Sequence, residues 1–106
     1  MEITHAVTLL SALAHENRLT LFRHLVRAGD TGLAAGILAE KLDVAPSTLS
    51  HHLALLEQAG LIRSRRESRH IYYSMAPAQI GLLLSFLVHD CCGGQPELCD
   101  LLPKPC

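Results

Sequence analysis

Residues 46–66 read Pro46-Ser47-Thr48-Leu49-Ser50-His51-His52-Leu53-Ala54-Leu55-Leu56-Glu57-Gln58-Ala59-Gly60-Leu61-Ile62-Arg63-Ser64-Arg65-Arg66. Pro46 stands where proline costs least, at the start of a helix, because the N–H it lacks would have no intrahelical partner there. Leu49, Leu53 and Leu56 recur at spacings of four and three, one inward stripe that predicts a helix to Gln58. Gly60 is the expected breaker at its C-terminal end. Asp43-Val44-Ala45 before it is too short for anything but a turn. The first turns of the helix carry Ser47, Thr48, Ser50 and His51. These are short hydrogen-bonding side chains, suited to base edges or phosphates when such a helix lies in a major groove.

The flanks complete the pattern. Upstream, Thr31 or Gly32 is expected to open a helix carrying Ile37, Leu38 and Leu42. A helix over about His15–Ala28 has the stripe Leu19, Phe22, Leu25 and Val26, stopped by Gly29-Asp30. A first helix over residues 2–14 has Ile3, Val7, Leu10 and Leu13 on one side. Downstream, Leu61–Arg66 and Arg69–Ser74 read as two strands around Glu67-Ser68, with β-branched or aromatic Ile62, Ile71, Tyr72 and Tyr73. Pro77 opens a last helix with Ile80, Leu83, Leu84, Leu87 and Val88 on an aliphatic stripe, ended by Gly93-Gly94. Two short helices across a three-residue turn, then a basic hairpin, describe a winged helix-turn-helix in a mainly α chain. Any one Ser, Thr or His here could be a helix cap, and any one hairpin arginine a solvated face. The order of the parts is what selects DNA. Arg63, Arg65, Arg66 and Arg69 would lie over phosphates, adding salt-dependent affinity but no direct sequence information.

Composition sets the outer bounds. At 106 residues the chain has room for one core. We expect a DNA-binding and dimerisation domain over residues 1–90, with an irregular tail over 91–106. No apolar run approaches the roughly 20 residues of a membrane span, and Met1-Glu2-Ile3-Thr4 lacks a signal peptide's basic flank and apolar run. The expected location is the cytoplasm, where the four cysteines would be reduced. Aromatic content of 4% argues against stacking on single-stranded bases. The net charge of −1 is uneven: four arginines against two glutamates between Ala45 and Ser74, then three acids and one lysine from Met75 onward. An enzyme is disfavoured, for there is no Gly-rich phosphate loop, no paired carboxylates and no room for a substrate domain. A thiol-rich metalloid buffer is the other rival, and the basic hairpin argues against it.

Leu13-Ala14-His15-Glu16-Asn17-Arg18-Leu19, Leu38-Ala39-Glu40-Lys41-Leu42, the block Ser47–Ile62 and, in the hairpin, Arg69 and Tyr72-Tyr73 resemble the ArsR–SmtB family of bacterial metalloid-responsive repressors. The resemblance spans residues 5 to about 90. It implies four helices, a two-stranded wing and a fifth helix. It also implies a homodimer joined by the first and last helices, bound to double-stranded operator DNA. His52 matches the family's Ser-x-His-Leu and is expected to orient the recognition helix rather than read a base.

The stretch Cys91-Cys92-Gly93-Gly94-Gln95-Pro96-Glu97-Leu98-Cys99 puts three thiols within nine residues. Adjacent residues on a helix point about 100° apart, so a vicinal pair is poor core packing. Thiolates are soft ligands. Gly93-Gly94 and Pro96 allow the chain to fold back, bringing Cys99 toward the pair. Three sulfurs suit trivalent arsenic or antimony, whose lone pair fills the remaining position. Zinc usually takes four ligands, and Cys106, His89 or Asp90 could supply the fourth. Redox sensing through a disulfide or persulfide stays open as well. The family's older sites are absent: Ala34 and Gly36 replace its Cys-x-Cys, and Ala78–Val88 holds no acid or histidine. The resemblance to an arsenic-responsive subgroup implies ligand roles for Cys91, Cys92 and Cys99 only, with arsenite or antimonite as inducer and no organic cofactor. His5, His15, His24 and His70 lack ligand spacing.

Overall fold

The computed structural model describes residues 1–88. The order is α1 (Ile3–Leu13), α2 (Glu16–Ala28), a 3-10 turn (Gly29–Thr31), β1 (Leu33–Ala34), α3 (Ala35–Leu42), α4 (Pro46–Gln58), β2 (Ile62–Glu67), β3 (His70–Met75) and α5 (Pro77–Leu87). This is the expected winged helix-turn-helix with one strand added. The sheet is antiparallel in the order β1-β3-β2, with Leu33 opposite Tyr73 and Arg65 opposite Tyr72.

Three local expectations need correcting. α3 starts at Ala35, not at Thr31 or Gly32, because the chain first turns through Gly29–Thr31 and pairs Leu33-Ala34 with β3. Gly32 permits this, since at φ +71° a Cβ there would collide with the Tyr73 carbonyl. The hairpin loop is Ser68-Arg69 rather than Glu67-Ser68, for Glu67 pairs with His70. Ser68 takes the positive φ of 57° that this tight loop demands, which displaces Arg69 from the strand to the tip. α5 closes at Leu87, with Val88 at φ −118°. The Gly93-Gly94 stop lies outside the described residues.

Both helices of the helix-turn-helix end in the same way. After α4, Leu61 N–H reaches the Leu56 carbonyl and Gly60 N–H the Glu57 carbonyl. After α3, Val44 and Asp43 repeat the pattern on Ala39 and Glu40, with Asp43 in the left-handed conformation. These bonds satisfy carbonyls that a helix end would leave orphaned. Leu56 and Leu61 are both fully buried, so the motif also closes over the core.

The core joins Ala6 and Leu9 of α1, Leu21, Phe22 and Leu25 of α2, Leu38 of α3, Leu49, Leu53 and Leu56 of α4, Leu61, Ile62, and Leu83 of α5. The α4 stripe faces inward as expected. The stripes of α1, α2 and α5 do not all do so. Ile3, Val7 and Leu10 point to solvent, 67%, 54% and 43% exposed, while Ala6 and Leu9 make the core contact. Leu19 and Val26 are exposed, and Leu21 takes the inward place. In α5, Leu83 turns in while Leu82, Leu84 and Leu87 stay more than half exposed. These helices are apolar on more than one side, so periodicity alone could not say which side meets its own chain.

Candidate nucleic-acid interface

α4 presents two chemically distinct faces. Leu49, His52, Leu53 and Leu56 are buried, whereas Ser47, Thr48, Ser50 and His51 are exposed. No side chain caps its N-terminus, where Ala45 is extended and Pro46 leads the first turn. The N–H groups of that turn are therefore open to an anion, at the positive end of the helix dipole.

His52 works from the other side. It is 5% exposed, its ring lies 4.7 Å from that of His15, and its Nδ1 has no partner among the described residues. Burial first, then His15, Arg18 and His51, hold its imidazole below the usual value of 6.5. His15 caps α2, its Nδ1 accepting from the Asn17 N–H at 3.1 Å. Arg18 donates to the Ala12 carbonyl at 2.6 Å, closing the α1–α2 corner. The buried His52 ring thus seats α4 on the start of α2. His5 reaches Gln79 at 2.9 Å and joins α1 to α5.

The wing is anchored on both faces. Ser64 donates to Glu57 Oε2 of α4 at 2.8 Å. On the face next to it, Tyr73 is half-buried, and burial together with the Glu57 carboxylate pushes its hydroxyl pKa up. Alternation sends Arg65 to the opposite face. There its guanidinium donates to the carbonyls of Asp30 (3.2 Å) and Thr31 (2.7 Å) and to Glu67 Oε1 (3.0 Å), 5.1 Å from the Tyr72 ring centre. Arg65, expected among the phosphate contacts, thus has each of its three nitrogens bonded within the chain. Its register partner Tyr72 was the available signal. Arg63 approaches the fully exposed Asp30 carboxylate only at 3.9 Å. Arg66 and Arg69 are exposed and make no ion pair among the described residues.

Cys91, Cys92 and Cys99 lie outside the described residues. Among the described residues no group of three His, Cys, Asp or Glu side chains is placed to hold a metal ion. Ala34 falls in β1 and Gly36 in α3. No described helix is long and apolar enough to cross a membrane.

The helix-turn-helix domain family matches residues 13–65, from the end of α1 into the wing. The transcriptional activator HlyU of Vibrio cholerae is 34% identical over 82 residues, covering 77% of this chain and 73% of HlyU. The biofilm growth-associated repressor of Agrobacterium fabrum is 34% identical over 95 residues, covering 90% of this chain and 79% of the repressor. The chain belongs to the ArsR–SmtB family of helix-turn-helix transcriptional regulators. The structure of reduced HlyU superposes on this regulator with a TM-score of 0.66 at 33% identity, covering 80% of this chain and 86% of HlyU. A homodimeric winged helix-turn-helix domain from Mycobacterium bovis, described as a possible ArsR-family regulator, gives a TM-score of 0.68 at 25% identity, covering 80% and 76%. In this regulator, Ser47, Thr48, Ser50 and His51 of α4 and Arg66 and Arg69 of the wing are all exposed.

Proposed function

We propose that this regulator is a metalloid-responsive repressor that binds a pseudo-palindromic operator as a homodimer and leaves it when arsenite or antimonite binds Cys91, Cys92 and Cys99. Ser47, Thr48, Ser50 and His51 are the contacts within the groove, and Arg63, Arg66 and Arg69 neutralise flanking phosphates. The exposed apolar faces of α1 and α5 supply the dimer contact. The homodimeric M. bovis domain supports a dimer, and the exposed leucines of α5 support this face of it.

The observation that carries the inducer reading is the position of the thiols. Cys91 follows the last residue of α5 by four positions, and the third sulfur is eight residues further on. Arsenous acid condenses with three thiols: three As–O and three S–H bonds break, three As–S bonds form, and each hydroxyl leaves with a thiol proton as water. Closing the three sulfurs around one arsenic constrains the end of the helix that carries Leu84 and Leu87. A small rotation between protomers would then change the spacing of two α4 helices, each matched to one groove. The ligand acts only to the extent that it prefers the DNA-free arrangement, and couplings of about 1–3 kcal/mol are usual.

The test is binding to a duplex from the region upstream of the regulator's own gene, with and without arsenite. Cys91→Ser, Cys92→Ser and Cys99→Ser should each bind DNA as wild type does and no longer be released, whereas Cys106→Ser should be released normally. A Cys91→Ser protein released at the wild-type arsenite concentration refutes the inducer site. The second reading, thiol redox sensing, is favoured by a relative whose structure is described as its reduced form. Release by peroxide but never by arsenite would select it.

A further inference from the structure

The wing holds two kinds of arginine, and the difference is geometric. Arg66 and Arg69 are exposed and engage no acceptor through an ion pair or side-chain hydrogen bond among the described residues. Arg65, one residue from Arg66, uses Nη1 and Nη2 on two successive main-chain carbonyls, Asp30 and Thr31, and Nε on Glu67, beside the Tyr72 ring. Those two carbonyls belong to the turn that ends α2, and 35 and 34 residues separate them from Arg65. A planar fork can bridge two neighbouring carbonyls while stacking on a ring. An ammonium, a point charge on a flexible stem, cannot hold that geometry. The opposite face of β2 is tied to α4 through Ser64 and Glu57. The wing is therefore pinned between the end of α2 and the recognition helix. Its angle decides whether Arg66 and Arg69 meet phosphates while α4 occupies the groove.

We propose that Arg65 is a positioning residue of the DNA-binding surface, a latch that holds the wing against the end of α2, and not itself a phosphate contact. The proposal rests on the reading that the regulator binds operator DNA, and its test separates the two. The measurement is fluorescence anisotropy with the full chain and a duplex from its own upstream region, at a series of salt concentrations. The proteins are wild type, Arg65→Lys, Arg69→Gln and the double variant, with circular dichroism confirming the fold of each. Arg69→Gln removes a phosphate contact, so the slope of log affinity against log salt should fall by about 0.9 per contact, or about 1.8 for two wings. Arg65→Lys removes no charge. Under the latch it nevertheless weakens binding and flattens the slope, because the released wing forfeits the contacts of Arg66 and Arg69. The double variant is then weaker than the worse single variant by no more than about twofold, the non-additivity of groups that act as one unit. An Arg65→Lys protein with wild-type affinity and slope overturns the latch, as does a double variant whose loss is the product of the single losses. A wild-type protein that binds no such duplex even at low salt overturns the DNA reading and the latch with it.

Discussion

Replacing Leu84 and Leu87 together by glutamate puts the proposed dimer face under direct test. Both side chains project from the protomer, 52% and 55% exposed, while Leu83, just before them, is 2% exposed and belongs to the core. Fully burying a leucine is worth about 1.5–3 kcal/mol, so covering the exposed half of each is worth about 1 kcal/mol. Two leucines on each of two protomers then contribute about 4 kcal/mol, equivalent to about a thousandfold in dissociation constant. Four carboxylates facing an apolar partner add a desolvation penalty on top. The double variant should therefore sediment as a monomer in analytical ultracentrifugation at concentrations where wild type is dimeric. Its helical circular dichroism should be unchanged, because neither leucine belongs to the buried core cluster. Affinity for operator DNA should fall with the loss of dimer. A double variant that remains fully dimeric refutes the assignment of this face. One that unfolds shows instead that Leu84 and Leu87 are needed within the protomer.

Two further outcomes follow from the local geometry. His52 is neutral in both folded and unfolded chains above its ordinary value of 6.5, but below that the unfolded chain takes the proton first. Stability should therefore fall as pH drops from about 6.5 toward the lowered folded value, and Tm of His52→Gln should decline less steeply over that window in differential scanning calorimetry; parallel declines would show that other groups set the acid limit. At Ser68, with φ 57°, a left-handed residue costs about 1–2 kcal/mol, against about 0.5–1 kcal/mol of extra chain entropy for glycine; Ser68→Gly should gain about 0.5–1 kcal/mol in urea unfolding, and a loss would mean the loop tolerates serine without strain.

Where the chemistry was local, the sequence carried the answer. Pro46, Leu49, Leu53, Leu56 and Gly60 define α4 to the residue, since a proline start, a helical stripe and a left-handed glycine act within a few positions of one another. The polar face of Ser47, Thr48, Ser50 and His51 was equally legible, whereas the inward role of His52 came from the family resemblance. Tertiary structure decided what depends on distant partners. Gly32 makes its turn because the Tyr73 carbonyl lies against it, 41 positions along the chain, and β1 exists only because β3 is there to pair with. Ile3 and Leu9 look alike in a list of apolar residues, yet one faces solvent and the other the core, for periodicity gives a stripe's spacing and not its bearing. Arg65 looks like its neighbours until the fold brings the end of α2 within reach of its fork. Composition and period are properties of a segment; the direction a side chain faces, and the acceptor it finds there, are properties of the packed chain.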